Sequence, residues 1–163
     1  AACLMRIRWY GQSTFLLSGR HIVAIDPFGP MGEAAAARGL QFDYAPIGEL
    51  EADLLLITHE HADHNAAEVV TGSPVVIRST AGTVDSPVGE VTAIASEHDD
   101  VAGTRRGPNT IFCVTLDQIG ETQQQARTFL AAHKTPRWFL KCLTRSLHGC
   151  IDVSGTAVLA SIR

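Results

Sequence analysis

Hydrophobic and polar positions alternate along the first part of the chain and predict a series of short β-strands. The alternation runs through residues 6–10, resumes over 13–17 and, after a Ser-Gly-Arg turn, gives a third strand over 21–25; this period is typical of β-strands. The run Leu54–Thr58 contains only apolar residues and a threonine, and it predicts a buried strand. We expect a sheet that has the N-terminal strand at its edge.

The same pattern predicts the elements that follow. Further strands are expected at 75–77, 88–95, 111–116 and 156–162. Three helices are expected: the alanine-rich Glu33–Arg38, Ala66–Val70 with Asn65 as its N-cap, and the glutamine-rich Glu121–Ala132, with His133 favourable near its C-terminal end.

A long irregular segment, residues 28–52, separates the third strand from the buried one. It is interrupted by several glycines and prolines, and loops of this length inside a compact domain are often binding loops. Its apolar side chains either form the wall of a pocket or anchor the loop on the core; they are Phe28, Met31, Phe42 and Tyr44.

The candidate chemistry follows the buried strand directly. His59, His61, Asp63 and His64 lie within six residues. Strand-like alternation returns a side chain to the same face every second residue, so His59 and His61 can both point inward, and the next two can face a second point nearby. Imidazole and carboxylate are metal ligands. A solvated polar loop is the alternative, but this crowding after a hydrophobic strand favours a metal site.

This His-x-His-x-Asp-His run resembles the signature of the metallo-β-lactamase superfamily, the zinc-dependent hydrolases built on an αββα sandwich. The segments Trp9–Phe15, Ile25–Phe28 and Arg106–Phe112 resemble the small bacterial branch that also contains ascorbate-6-phosphate lactonase. The resemblance covers about residues 5–117. It implies an α/β fold of that type, of which this chain carries mainly the N-terminal half.

The resemblance also implies a set of metal ligands. His98, which follows the strand predicted at 88–95, would complete a first position with His59 and His61, and a second position would use Asp63 and His64. Asp26 would support the ligand loop from beneath; on sequence alone it is equally well a turn-forming residue. Asp99 and Asp100 are expected to be supporting or solvated carboxylates.

The implied activity is metal-assisted hydrolysis. One or two Zn²⁺ ions, with Mn²⁺ or Fe as alternatives, would activate a water as metal-bound hydroxide, and Asp63 would take up a proton as the catalytic carboxylate. The substrate would be a small ester, lactone, amide or phosphodiester. Within such a fold the pocket loops, and not the metal, select the substrate.

Composition limits the partners and the compartment. The length of 163 residues predicts one domain. The net charge of −4 and the scattered basic residues argue against binding of nucleic acid. The run Arg105–Thr110 is interpreted as a turn with no binding role.

The four cysteines show no disulfide or C-x-x-C spacing, which favours reduced thiols and a cytoplasmic location. We expect no membrane partner, because no segment reaches about 20 apolar residues.

The resemblance ends at Asp117, so we divide the chain into a metallo-β-lactamase-like part, 1–117, and a divergent tail, 118–163. No spacing selects Asp117, His133, His148 or Asp152 as replacements for ligands expected from a second half. We therefore expect a shortened or frame-altered chain, with a non-catalytic remnant that binds at most one metal as the alternative function. An uncovered sheet face would promote homo-oligomers or instability.

Overall fold

The first sheet is built around the four-residue strand Leu54–Ile57, whose side chains are all fully buried. The computed structural model describes residues 6–117, 126–133, 150–153 and 156–162, with side chains over residues 6–114. The strands of the first sheet, in spatial order, are β1 (Arg6–Gly11), β2 (Thr14–Ser18), β3 (Ile22–Ile25), β5 (Leu54–Ile57) and β7 (Val75–Arg78). β1 lies at the edge, as the alternation predicted. A separate pair consists of β4 (Leu50–Glu51) and β6 (Val70–Thr71).

The direction of the strands changes within this sheet. β1, β2 and β3 are antiparallel neighbours. In contrast, β3, β5 and β7 are parallel, with Ala24 opposite Leu55 and Leu55 opposite Val76. The carboxyl ends of these three strands therefore meet at one edge of the sheet, which we call the site edge.

The second sheet is antiparallel throughout its described part. Its spatial order is β12 (Cys150–Val153), β13 (Thr156–Ile162), β11 (Ala126–His133), β10 (Pro108–Asp117), β9 (Gly89–Glu97) and β8 (Gly82–Ser86). The sequence pattern anticipated β9, β10 and β13 but not β8, in which a glycine, a threonine, an aspartate and a serine surround one valine.

The main core lies between the two sheets. Phe15, Leu54 and Leu56 of the first sheet belong to the same buried cluster as Val91 and Phe112 of the second. The expectation of an uncovered apolar face was therefore wrong, because residues 82–114 already supply strands that cover the first sheet. The burial of this shared core removes a large apolar area from water.

Helices are few in the described residues. α1 spans Gly32–Ala36, close to the expected alanine-rich helix, and a 3-10 helix spans Ala67–Val69. Asn65 does not cap the latter, because its side-chain amide instead donates to the Glu60 carbonyl at 3.3 Å. The second face of the first sheet buries Leu55 and Ile57 in a smaller cluster. None of the described helices has the length and apolar character needed to cross a membrane.

The expected helix Glu121–Ala132 is wrong over residues 126–132, and residues 121–125 lie outside the described residues. Residues 126–133 form β11, which pairs with β10 from Phe112–Ala131 to Asp117–Ala126 and with β13 on its other side. Long-range pairing on both sides overrides the local helix preference of residues 126–132. His133 is accordingly the last residue of a strand. His148 and the segment 134–149 lie outside the described residues, and the boundary at 117 stays a prediction.

Candidate metal centre

Three chemically active segments meet at the site edge because three parallel strands end there. Asp26 follows β3, Thr58 and His59 follow β5, and Ser79 follows β7. The second sheet approaches the same edge, where the Thr110 backbone amide donates to the Thr58 carbonyl at 2.7 Å. The centre is therefore assembled from both sheets.

Three imidazoles converge at this junction. The ring centroid of His59 lies 4.6 Å from that of His61 and 4.5 Å from that of His98, and His61 and His98 are 4.8 Å apart. One nitrogen of each ring lies within 4.8 Å of the others. His59 and His98 are buried, and His61 is half-buried. The structure thus brings together the three histidines of the predicted first position.

His98 owes its position to the turn between β9 and β10. It follows the last residue of β9, and its backbone amide donates to the Gly107 carbonyl at 3.1 Å. Gly107 in turn donates to the Gly103 carbonyl at 2.8 Å. These bonds close the loop 98–107 and hold the backbone of His98 in place beside the other two imidazoles.

Asp26 organises the base of the centre. Its fully buried carboxylate accepts a hydrogen bond from the Thr58 amide at 2.7 Å and another from the Thr58 hydroxyl at 2.6 Å. Its φ angle of +45° is uncommon for a residue with a side chain. Asp26 thus ties the end of β3 to the first residue of the histidine loop, which is the supporting role that the resemblance implied.

The Thr58 hydroxyl also orients His59. Its oxygen lies 3.1 Å from His59 Nδ1. Because the single hydroxyl proton goes to the Asp26 carboxylate, the hydroxyl oxygen accepts from Nδ1–H of His59. This tautomer puts the lone pair of the ring on Nε2, the nitrogen available for a metal.

Asp63 and His64 form a pair next to the three imidazoles. Asp63 Oδ2 lies 3.4 Å from His64 Nε2, while His64 Nδ1 lies 3.1 Å from Asp26 Oδ2. Burial opposes the charged form of His64, but hydrogen bonds to Asp26 and Asp63 outweigh it and raise its pKa from 6.5 to about 9. The hydrogen bond from His64 lowers the pKa of Asp63 well below its usual range.

Glu60 makes side-chain contacts for which the sequence carries no local signal. Arg78 Nε donates to Glu60 Oε1 at 2.9 Å, and Arg78 Nη2 makes a second bond to Oε2. Ser79 Oγ donates to Oε1 at 2.6 Å. The hydrogen bond from Arg78 is the main reason that the pKa of Glu60 falls from 4.5 to about 2. We call this group the Glu60 clamp; it ties the residue between His59 and His61 to the end of β7.

A cavity of about 450 Å³ opens beside the imidazoles. His59, His61, Ser96, Arg106 and Asn109 are among the residues that line it. No binding role was predicted for the segment 105–110, yet residues 106–110 line the cavity beside the imidazoles. A substrate in this cavity would lie next to His59 and His61.

A second pocket, of about 480 Å³, lies under the long loop. Phe28, Met31, Phe42 and Tyr44 all line it, which agrees with the first of the two alternatives, although this pocket shares no lining residue with the cavity beside the imidazoles. Phe28 and Phe42 meet edge to face with centroids 5.0 Å apart. The Tyr44 ring rests on Gly11, whose φ is +118° and where a Cβ atom would collide with that ring.

Comparisons with known proteins point to one family. The family model for the beta-lactamase superfamily domain matches residues 6–120. The chain is 39% identical over 77 residues to a UPF0173 metal-dependent hydrolase of Thermococcus onnurineus, covering 45% of this chain and 31% of that protein. It is 34% identical over 96 residues to one of Thermus thermophilus, covering 58% of this chain and 36% of the relative.

A third relative extends the match further along the chain. A UPF0173 metal-dependent hydrolase of Thermococcus kodakarensis is 29% identical over 121 residues, which is 71% of this chain and 47% of that protein. The chain therefore spans less than half the length of these relatives. No solved structure matches it significantly.

Replacing Asp26 by asparagine tests its structural role. Asparagine keeps the size of the side chain and tolerates a positive φ, but it loses the charge that faces Thr58 and His64. We expect the free energy of unfolding in urea to fall by about 2–4 kcal/mol. Asp53→Asn is the control, since Asp53 accepts from the Ile22 amide at 2.7 Å but is half exposed. Equal losses in the two variants would contradict a special role for Asp26.

The raised pKa of His64 predicts a pH dependence of the metal-free protein. Protonated His64 stabilises the folded state fully below its ordinary pKa of 6.5, and this contribution is lost as pH rises through about 9. Urea unfolding of metal-free protein should therefore show stability that declines between these values. His64→Gln should lack this decline, and an identical pH profile in both proteins would refute the assignment.

Proposed function

Because the chain belongs to the beta-lactamase superfamily, we propose that it is a metal-dependent hydrolase centred on His59, His61 and His98. The observation that carries the proposal is the convergence of three imidazoles, with ligand nitrogens within 4.8 Å of one another, at the edge of a cavity. The relatives from Thermococcus and Thermus carry the name metal-dependent hydrolase, which supports the same proposal. We also propose that the chain has the αββα layer arrangement of the family.

The donor set fits a borderline divalent ion. Three imidazoles are a familiar ligand set for catalytic zinc, which leaves further positions for water and substrate. Zn²⁺ is therefore the proposed ion, with Mn²⁺ or Fe as alternatives. Asp63 and His64 are the proposed ligands of a second ion. Asp26 also approaches His59 and His64, but both of its oxygens already accept bonds from Thr58, so we assign it to support.

Hydrolysis in this centre divides the work between the ion and the chain. When bound, the ion would act as a Lewis acid and would lower the pKa of a water molecule to about 7. Thr58 and Asp26 hold His59 in the tautomer that ligation requires. Asp63 is the proposed proton acceptor; the hydrogen bond from protonated His64 weakens it as a base, so we expect this role when His64 is neutral.

The substrate is proposed to be a small molecule that contains an ester, lactone, amide or phosphodiester bond and that fits the cavity of about 450 Å³. We propose a cytoplasmic location, consistent with the thiol of Cys113, which is half-buried and in no disulfide. We propose no nucleic-acid or membrane partner. Self-association stays a proposal. The original argument for it was an uncovered apolar face, and the second sheet covers that face.

Metal content is the direct test. We expect about one Zn²⁺ per chain after purification without chelator, and loss of it in His59→Ala and His98→Ala. His21→Ala is the matched control, because His21 lies in a turn beside Asp53, with Nδ1 3.7 Å from the carboxylate. Hydrolysis of an ester and phosphodiester panel should be lost with the metal.

Two results would redirect the interpretation. Metal that is retained in both variants would place the ion elsewhere and overturn the proposed centre. Zinc that depends on His59 and His98 but supports no turnover would leave the alternative of a metal-binding chain without catalysis.

The Glu60 clamp should affect metal affinity although no member of it is a proposed ligand. We expect Arg78→Gln to weaken zinc binding about 10- to 100-fold, because the loop between His59 and His61 loses its link to β7. Arg38→Gln is the control, because Arg38 lies in the exposed turn that follows α1. Zinc affinity is measured by competition with a chelator. An equal effect of both variants would indicate a general charge effect instead of positioning.

A further inference from the structure

We propose that Arg106 determines substrate specificity by binding an oxyanion, a carboxylate or a phosphate, on the part of the substrate that does not react. This inference rests on the proposed function, since the cavity that Arg106 lines is the one beside the imidazoles. It narrows the open substrate class to molecules that carry a negative charge besides the bond that is broken.

The charges around the cavity favour an anion. The ionisable side chains that line it are His59, Glu60, His61 and Arg106. Glu60 is the acidic member, and its charge is engaged by Arg78 in the Glu60 clamp. A metal ion held by the imidazoles would add further positive charge. Such a cavity attracts a substrate of negative charge.

Asp99 lies in the same loop as Arg106, and its carboxylate binds backbone amides. Its Oδ1 accepts from the amides of Val101 and Gly103 at 3.0 and 2.8 Å. Its Oδ2 accepts from the amides of Arg105 and Arg106 at 3.0 and 2.7 Å. Asp99 therefore shapes the loop through four backbone bonds. Among the ion pairs that the described side chains form, none involves Arg106.

The loop also fixes Arg106 relative to the reacting centre. Arg106 precedes Gly107, whose carbonyl accepts from the His98 amide at 3.1 Å. Gly107 has a φ of +84°, which suits glycine in this closed turn. One short loop thus carries both a proposed metal ligand and the proposed anion-binding residue, so the distance between the scissile bond and the anionic group is restricted. Guanidinium matches carboxylate and phosphate through two parallel hydrogen bonds.

Arg105 offers a matched control beside the proposed residue. It has the same charge, its amide also donates to Asp99, and it is exposed, but it is not among the residues that line the cavity. An effect of net charge alone would be equal for the two arginines. A specific site requires Arg106.

Two esters that share a leaving group test the inference. The zinc-loaded protein is assayed with mono-4-nitrophenyl glutarate, which has a terminal carboxylate, and with 4-nitrophenyl pentanoate, which ends in a methyl group. In each reaction water adds to the carbonyl carbon and 4-nitrophenol leaves. We expect Arg106→Gln to lower the ratio of kcat/KM values, glutarate over pentanoate, about 10- to 100-fold. Arg105→Gln should change this ratio by less than about twofold.

A binding measurement separates failure of this inference from failure of the hydrolase proposal. Glutarate, the product of the charged ester, is titrated calorimetrically into the zinc-loaded wild type and both variants. Weaker binding in Arg106→Gln alone supports the anion site even if neither ester is hydrolysed above the His59→Ala background. Equal ester ratios in the two variants, or equal glutarate affinities, would overturn it, whatever the hydrolytic activity.

Discussion

The buried contact between Asp26 and Thr58 is the constraint on which the rest of the centre depends. Asp26 ends one parallel strand and Thr58 ends its neighbour, so one carboxylate joins two strands at the site edge. The same hydroxyl orients His59, and the same carboxylate faces His64. A buried carboxylate is costly unless it is hydrogen-bonded, and here its bonds are the ones that present the imidazoles. The same hydrogen bonds therefore stabilise the buried carboxylate and orient the histidine ligands.

The centre also depends on the packing of two sheets. His59 and His61 come from the first sheet, and His98 comes from the end of a strand in the second. The core between Leu56 and Phe112 and the bond from Thr110 to Thr58 bring these elements together. The ligand set is complete only when both sheets have formed, so metal affinity includes the free energy of their assembly.

The sequence predicts those features that are encoded locally. The buried run before His59 and the alternate spacing of His59 and His61 predicted that these two histidines lie together, as they do in the structure. The family model confirms the superfamily. Contacts between distant segments left no local signal. Glu60 meets Arg78, 18 positions further along the chain; Arg106 reaches the cavity through a turn; and β8 and β11 are strands because of their neighbours in the sheet. In the tail, pairing with β10 and β13 makes residues 126–133 a strand where a helix was expected.

The packing of Tyr44 on Gly11 links the edge strand of the first sheet to the pocket under the long loop. Gly11 is the last residue of β1, and the ring that covers it also contacts Phe28 and Phe42. Any side chain there meets both an unfavourable φ and the aromatic ring. The position of Tyr44 in the wall of this pocket thus depends on a glycine in a hairpin that is far along the chain from the histidines. A side chain in place of Gly11 would therefore displace Tyr44 and change the wall of this pocket, without contacting the histidine cluster.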